Sequence, residues 1–268
     1  MRTLRFLSLA AAASGCAVLF PQAAPVERAV ASALISDEQE AQLGLQVHQE
    51  LQKEQVKFST NQTVIAYVDG IARRMIPAPD RDRPKVGWKL FVIDEGKTAN
   101  AFATPGGRIY VYSGLLLAAR NEAEVAGVIG HEMGHVVARH TARQLVAAKG
   151  FETAVAMALG KDPNDVVALT AALAGKGGML AYGREMEREA DDLGVKYAAA
   201  AGYNPDALAT FFEMLASKGD VPELLQFLST HPASSERVRN IRATIARTGA
   251  KGADLGADRL GAIQAELR

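Results

Sequence analysis

The run Glu122-Ala-Glu-Val-Ala-Gly-Val-Ile-Gly-His131-Glu132-Met-Gly-His135 determines how the rest of this chain has to be arranged. Its residues are largely apolar apart from the acids and histidines, which predicts a buried helix over residues 121–146. Residues four apart lie on one face of a helix about one turn apart, so His131 and His135 can reach one metal ion. Glu132 is then placed to polarise a metal-bound water rather than to bind the metal. This spacing is the H-E-x-x-H pattern of zinc hydrolases.

An exposed helix could carry the same pattern by chance, but burial argues for a metal. Burying histidine and glutamate side chains without a partner costs several kcal/mol, and a metal ion is the simplest partner. Gly130 and Gly134 each cost the helix about 1 kcal/mol relative to alanine, which makes sense where another backbone or a substrate passes close by. The sequence therefore predicts one Zn²⁺ per chain.

A third metal ligand has to come from elsewhere, because catalytic zinc sites usually have three protein ligands and a water. The best candidate region is Arg184-Glu-Met-Glu-Arg-Glu-Ala-Asp-Asp192. Glu187 and Asp191 are four apart and share a helix face, which can present one carboxylate to the metal and another to a ligand histidine. The alternative is a solvated charged face, which is the usual fate of such a run.

The remaining segments predict a mostly helical α+β fold. Three strands are predicted at residues 88–93, 100–104 and 108–112, and Pro105-Gly106-Gly107 makes the last two a hairpin. Ser36 and Gln39 form a capping box at the first helix. Helices are predicted at residues 36–57, 61–75, 114–119, 151–159, 164–173, 184–201, 205–217, 222–229, 233–247 and 255–267. The expected architecture is a small antiparallel sheet beside the helix that carries the two histidines.

Composition excludes several classes of protein. The chain has 268 residues, of which 49% are hydrophobic and 22% charged, so it is long enough for a sizeable core and is not disordered as a whole. Its 30 basic and 30 acidic residues leave no net charge, which argues against a nucleic-acid partner. A single cysteine excludes a disulfide framework and a cysteine-built zinc site.

The N-terminus predicts export and lipid attachment. A basic start with Arg2 and Arg5 precedes an apolar run too short to span a bilayer, which needs about 20 residues. Ala13-Ser-Gly-Cys16 then resembles a bacterial lipobox, which implies cleavage before Cys16 and lipidation of that residue. Ala17 lacks the aspartate linked with inner-membrane retention, so the outer membrane is favoured. The alternative is a plain secretory signal that is cut a little later.

With these motifs in place, the chain resembles metallopeptidase family 48, the prenyl-protease and Oma-like zinc proteases, whose fold is zincin and gluzincin-like. The resemblance rests on four segments: residues 100–107 with 110–115, residues 122–135, residues 184–191 with Gly194, and His231-Pro232 with Arg237. It implies that Glu187 is the third zinc ligand and that Asp191 supports a ligand histidine. The family has serine where this chain has Gly183. The resemblance is to bacterial envelope lipoprotein members, with polypeptides as substrates.

The organisation that these interpretations give has three parts. Residues 1–15 are a lipoprotein signal peptide, residues 16–35 a tether, and residues 36–268 a zinc metalloprotease domain. The expected location is the periplasm, with a lipid anchor in the outer membrane. The membrane is therefore an expected partner through the N-terminal lipid.

The resemblance also puts His231 over the zinc, where it has two candidate roles. It could donate a hydrogen bond to the oxyanion as a catalytic residue, or be a fourth zinc ligand that displaces water and keeps the enzyme latent. A surface histidine that caps a loop is the third interpretation, and Tyr182 or Arg184 could be the donor instead. Glu132 would take a proton as general base and deliver it to the leaving amine.

Residues 100–104 are predicted to be an edge strand over the cleft. An exposed edge offers unpaired N–H and C=O groups to an extended peptide, so Asn100, Ala101 and Phe102 are candidate substrate-binding residues. The alternative is a strand that only fills the sheet.

Three features are left with less specific interpretations. Residues 151–180 are either a lid over the cleft or packed core helices. His48 is interpreted as structural or exposed. His140 is interpreted in the same way, because a continuous helix would place it on a face away from both ligands.

The leading functional hypothesis is a metalloendopeptidase of the bacterial envelope that cuts misfolded or unassembled proteins. A chaperone-like outer-membrane assembly factor with latent protease activity is the first alternative, although an intact Glu132 favours an enzyme. A zinc amidase acting on cell-wall peptides is the second, and the sequence has no recognisable wall-binding module to support it.

Overall fold

Helices make up most of the computed structural model, which describes residues 35–149, 156, 163–173, 182–217, 227, 231 and 234–268. The helices are α1 (Asp37–Lys53), α2 (Gln62–Met75), α3 (Pro79–Asp82), α4 (Ser113–Ala118), α5 (Glu122–Val137), α6 (His140–Lys149), α7 (Pro163–Leu173), α8 (Arg184–Ala200), α9 (Ala207–Ser217), α10 (Ser235–Thr248) and α11 (Ala257–Leu267). The strands are β1 (Lys89–Ile93), β2 (Ala101–Thr104) and β3 (Arg108–Tyr112). The predicted mostly helical α+β class is confirmed, and so is the capping box at Ser36.

Some predictions fall outside the described residues. They are the signal peptide, the lipidated Cys16, the tether up to residue 34, most of the segment 151–180, and the helix at 222–229 apart from Phe227. Within the part of the chain that the structure describes, no helix is long and apolar enough to cross a bilayer.

The sheet is mixed, and not antiparallel throughout as predicted. Its strand order is β1-β3-β2, with β2 antiparallel to β3 and β1 parallel to it. The hairpin of β2 and β3 is confirmed, and its turn holds Gly106 and Gly107 at φ of 77° and 91°, where side chains are disfavoured. Residues 94–100 link β1 to β2 past the end of β3. Local turn signals therefore predict the hairpin, whereas the parallel pair joins strands that are not consecutive.

Both faces of the sheet are covered by helices. One face contributes to the main core, in which α5 packs against it, through Ala101, Ala103, Ile109 and Val111. The other face packs in a second cluster with α1 and α7, through Phe102, Tyr110 and Tyr112. Although β2 is an edge strand as predicted, each of its residues is at most 4% exposed. The prediction of an exposed edge is therefore wrong for this conformation.

The helix predicted over residues 121–146 is broken in two. Arg139 takes the left-handed conformation with φ of 59°, and α6 starts at His140. The Arg139 guanidinium is buried, lies near Glu40 of α1 (Nε to Oε1, 3.3 Å) and donates to the carbonyl of Ile35. A left-handed conformation costs a residue other than glycine about 1–2 kcal/mol. Because no glycine or proline marks the break, these tertiary contacts set its position.

Helices α5 and α8 pack so closely that their contact needs glycine. A Cβ on Gly134 would lie 2.9 Å from the carbonyl oxygen of Ala190, and one on Gly194 would lie 3.0 Å from the backbone nitrogen of His131. The backbone expected to pass close to Gly130 and Gly134 is that of α8. The close approach brings the acids of α8 next to the histidines of α5.

Replacing Gly194 by Ala is expected to lower the free energy of unfolding by about 1–3 kcal/mol, the usual cost of an extra methyl in a packed core. The methyl would meet the backbone of His131, which cannot move without displacing α5. Chemical denaturation of the metal-free protein measures the effect. Gly70→Ala is the matched control, because a Cβ on this helical glycine meets nothing within 4 Å. Equal stability of the two variants would contradict the packing argument.

Candidate metal centre

Two helices and one connecting segment bring together four side chains that could bind a metal ion. His131 and His135 come from α5, Glu187 from the first turn of α8, and His231 from the segment between α9 and α10. One ligand atom from each lies within 4.8 Å of the others, and all four residues are buried. We call these four side chains the donor cluster. The structure thus brings the three ligands proposed from the sequence together with His231.

The separations within the donor cluster fit a tetrahedral metal ion. His131 Nε2 is 3.0 Å from His135 Nε2 and 3.2 Å from His231 Nδ1. Glu187 Oε1 is 3.4 Å from His135 Nε2 and 3.1 Å from His231 Nδ1. Ligands at about 2.0–2.1 Å from a tetrahedral zinc ion are about 3.3 Å apart. Imidazole nitrogens combined with a carboxylate at these separations suit a divalent metal such as zinc.

The protonation states of Glu187 and His135 also suit a metal. Burial alone would raise the pKa of Glu187, but His231, His135 and His131 hold it well below its ordinary value. Burial lowers the pKa of His135 well below its ordinary value, although Glu187 opposes the shift. Metals bind ionised carboxylates and neutral imidazoles. Both groups are therefore in the form that a metal requires.

Asp191 and Arg237 support the donor cluster from outside. Asp191 Oδ1 is 2.9 Å from Nδ1 of His131, the ring nitrogen that faces away from the other donors. Arg237 donates to both oxygens of Asp191 (Nε to Oδ2, 2.9 Å; Nη2 to Oδ1, 2.6 Å) and has Nη1 2.6 Å from Glu187 Oε2. One guanidinium therefore orients two carboxylates at once. Arg237 is part of a recognisable sequence motif, but the sequence does not reveal these partners.

Glu132 lies beside the donor cluster without joining it. Its Oε1 is 3.4 Å from His231 Nε2, and the main chain of Ala103 in β2 is close enough to oppose the rise in the pKa of its carboxyl. Burial raises the pKa of Glu132, which makes its carboxylate a stronger base. The geometry fits the general base expected from the sequence.

His140 lies in the site, which corrects its interpretation as a residue remote from the ligands. The break at Arg139 turns the chain back, so that His140 Nδ1 lies 2.8 Å from His135 Nδ1. On its other side, His140 Nε2 is 3.1 Å from Oε2 of Glu189 in α8. The sequence interpretation failed because it assumed one continuous helix. A histidine nine residues after the first motif histidine was the available signal.

The pairing of β2 with β3 decides which of its main-chain groups point outward. The amide of Tyr112 donates to the carbonyl of Asn100 at 3.0 Å, and hydrogen-bonded pairs alternate along an antiparallel ladder. Asn100 and Phe102 therefore direct their main-chain groups toward β3, whereas Ala101 and Ala103 direct theirs away from it. Of the three residues proposed for substrate binding, Ala101 has the required orientation. Ala103, which was not proposed from the sequence, has the same orientation.

A cavity of about 270 Å³ opens next to Glu187. Its further lining residues include Tyr182, Arg184, Arg188, Asp191, Ser234, Glu236, Arg237 and Asn240. The Tyr182 ring stacks on His135 with 4.0 Å between centroids, and its hydroxyl is 2.9 Å from Thr141 Oγ1. This hydroxyl is therefore already engaged, and Arg184 is exposed. His231 contacts both Glu132 (Nε2 to Oε1, 3.4 Å) and Glu187 (Nδ1 to Oε1, 3.1 Å).

Comparison with known proteins gives one family and several related peptidases. The family model described as peptidase family M48 matches residues 62–245, a range that contains the donor cluster, Glu132, Asp191 and Arg237. Mitochondrial metalloendopeptidase OMA1 of Schizosaccharomyces pombe is 34% identical over 177 residues, which are 65% of this chain and 51% of that protein. OMA1 of Arabidopsis thaliana is 38% identical over 152 residues, 57% of this chain and 30% of that protein.

A bacterial relative has a different name. The beta-barrel assembly-enhancing protease of Escherichia coli is 29% identical over 189 residues, which are 66% of this chain and 38% of that protein. The chain thus spans between 30% and 51% of the length of these three curated relatives.

Proposed function

Because this chain belongs to peptidase family M48, we propose that it is a zinc-dependent endopeptidase that cuts misfolded or unassembled proteins in a bacterial cell envelope. Family membership by itself makes the chain a metallopeptidase, a hydrolase of peptide bonds. The observation that carries the finer proposal is the position of Glu132, a buried carboxylate that lies between the donor cluster and the main chain of β2.

In the proposed mechanism, the metal and the side chains of this protein have different roles. His131, His135 and Glu187 would hold the zinc ion, which would supply a Lewis acid for the carbonyl and for the attacking water. Glu132 accepts the proton of the attacking water and passes it to the leaving amine. Asp191 Oδ1, which lies 2.9 Å from Nδ1 of His131, would orient the ring of that ligand.

The main-chain groups of β2 that point away from β3 could hold an extended substrate in one orientation. An extended peptide that pairs with the outward main-chain groups of Ala101 and Ala103 would lie alongside Glu132, whose pKa the Ala103 main chain affects. Recognition through main-chain groups does not depend on substrate side chains, which suits an enzyme for unfolded chains. Because β2 is buried here, the substrate must displace part of its cover.

His231 gives the second candidate function its support. Its Nδ1 takes the remaining position of the donor cluster, whereas catalytic zinc sites keep one position open. The described conformation therefore corresponds to a latent enzyme in this proposal. A chaperone-like assembly factor whose protease activity is held off by His231 is the alternative that this contact favours.

Cleavage of an unfolded reporter protein such as casein tests the proposal. The chain without its signal peptide is loaded with Zn²⁺, and Glu132→Gln is the matched inactive control. We expect the Zn²⁺-loaded wild type to cleave casein and Glu132→Gln not to cleave it. Absence of cleavage in both, with Zn²⁺ bound, would favour the assembly-factor alternative.

The envelope location is proposed on two grounds. The Escherichia coli relative is named for enhancing beta-barrel assembly, and Ala13-Ser-Gly-Cys16 has the form of a lipobox. The proposed partners are polypeptide substrates and the membrane that holds the lipid. Because the matched region is only 51% and 38% of these two relatives' length, their substrates are not transferred to this protein.

Changing Cys16 to Ala is expected to move the protein from the membrane fraction to the soluble fraction, or to leave its signal uncleaved. A lipidated N-terminal cysteine would no longer be available to hold the mature chain. Fractionation and labelling with a radioactive fatty acid in a bacterial host measure this. Ser14→Ala is the matched control, since it keeps a small residue in the lipobox. An N-terminus that begins after residue 16 in the wild type would refute lipidation.

A further inference from the structure

His140 is the one described histidine that joins a ligand histidine of the donor cluster to a carboxylate outside it. It is buried at the start of α6, with Nδ1 2.8 Å from His135 Nδ1 and Nε2 3.1 Å from Glu189 Oε2. Arg143, one turn further along α6, has its Nη1 2.9 Å from the same oxygen of Glu189. His135, His140 and Glu189 therefore form a row of contacts, which we call the His140 line. Arg143 neutralises the carboxylate at its end.

When His135 holds a metal, only one combination of tautomers makes both hydrogen bonds of the His140 line. His135 Nε2 faces the donor cluster, 3.0 Å from His131 Nε2, so a bound metal takes its lone pair. The proton of His135 is then on Nδ1 and is donated to Nδ1 of His140. His140 must therefore accept at Nδ1, carry its own proton on Nε2 and donate it to Glu189.

We propose that His140 and Glu189 are positioning residues that fix the tautomer and the ring orientation of His135 for metal binding. The proposal rests on the metal centre of the proposed function. The two ligand histidines of α5 are then supported differently. His131 meets Asp191 directly at 2.9 Å, whereas His135 reaches Glu189 through a second imidazole.

The expected cost of breaking the line follows from the competing tautomer. Without Glu189, His140 can carry its proton on Nδ1, where it would face the proton of His135 across 2.8 Å. His135 would then move its proton to Nε2, the nitrogen that has to bind the metal. Losing groups that orient metal ligands typically costs about 10–100-fold in metal affinity, and we expect a loss in this range.

Two pairs of variants separate the hydrogen bonds from simple packing. His140→Leu removes the acceptor, whereas His140→Asn keeps a side-chain oxygen on Cγ, where His140 carries Nδ1, and this oxygen can accept from His135. Glu189→Ala removes the end of the line, and Glu185→Ala is its matched control on the exposed side of α8. Zn²⁺ affinity is measured by competition with a chromogenic chelator, and thermal unfolding of the metal-free proteins measures their stability.

The expected result is a 10–100-fold weaker Zn²⁺ affinity for His140→Leu and Glu189→Ala, with His140→Asn and Glu185→Ala within a few-fold of wild type. A role in packing alone would lower metal-free stability equally in both His140 variants without separating their affinities. Wild-type affinity in both His140→Leu and Glu189→Ala would overturn the proposal.

Two further measurements keep the test decisive. His131→Ala must weaken Zn²⁺ binding if the metal centre is real, so its failure to do so would reject the proposed function and not only the role of His140. Long-range ¹H–¹⁵N spectra of the Zn²⁺-loaded wild type report imidazole tautomers without any variant. A proton on Nε2 of His140 and on Nδ1 of His135 is expected, and a proton on Nδ1 of His140 would refute the line.

Discussion

Replacing Glu132 by Gln is expected to lower kcat/KM for an unfolded protein substrate by about 10²–10⁴-fold, the usual contribution of a positioned acid–base group. The amide keeps the shape of the side chain but cannot accept the proton of the attacking water. Glu132 is not a member of the donor cluster, so Zn²⁺ content should stay unchanged. Steady-state cleavage of fluorescent casein, with zinc measured in the same samples, gives both quantities.

The matched control for this change is Glu185→Gln, which makes the same chemical change on an exposed side chain of α8. It should leave kcat/KM within a few-fold of wild type. Equal cleavage by wild type and Glu132→Gln would mean that another group is the base or that a contaminant does the cutting. Loss of zinc from Glu132→Gln would instead mean that the carboxylate helps to hold the metal.

The sequence predicted those parts of the site that depend on helix periodicity. His131 and His135 lie on one face of α5 because they are four apart, and Glu187 and Asp191 share a face of α8 for the same reason. In each pair, one helix turn separates the two side chains, so local geometry is sufficient. The structure places these two faces against each other.

His140 is where periodicity failed. Nothing in the local sequence breaks the helix, and the break depends on Arg139 meeting Glu40, a residue about a hundred positions earlier. Such a contact has no signature at either position alone. The same limit applies to Arg237, whose two carboxylate partners are on a helix that precedes it by some forty residues.

Some features of the sheet likewise depend on local sequence, and others depend on contacts between distant segments. Pro105-Gly106-Gly107 predicts the hairpin, because the turn chemistry is local. The parallel partner of β3 and the cover on β2 depend on how helices α1, α5 and α7 pack on the two faces. Hydrogen-bonding register, and with it the outward direction of Ala103, could only be read once the strands were paired.

Replacing His231 by Ala is expected to raise the rate of proteolysis, by about tenfold if the closed arrangement holds about nine tenths of the molecules. In the described conformation Nδ1 lies 3.2 Å from His131 Nε2 and 3.1 Å from Glu187 Oε1, in the position of a fourth ligand. Removing the imidazole opens that position while three proposed ligands remain. A role as oxyanion donor predicts the opposite sign, a fall of about 10²–10³-fold.

The sign of the change therefore decides between the two roles of His231, provided that both proteins hold zinc. His48→Ala is the matched control, because His48 contacts the Tyr110 hydroxyl at 3.0 Å, in the second cluster and not in the donor cluster. A double variant with Glu132→Gln must be inactive if the added cleavage uses the same site. A fall in kcat/KM with zinc retained would return His231 to the donor role. A rise would mean that the chain is proteolytically active only when His231 is away from the metal. The assembly-factor alternative would then describe the conformation in which His231 occupies the fourth position.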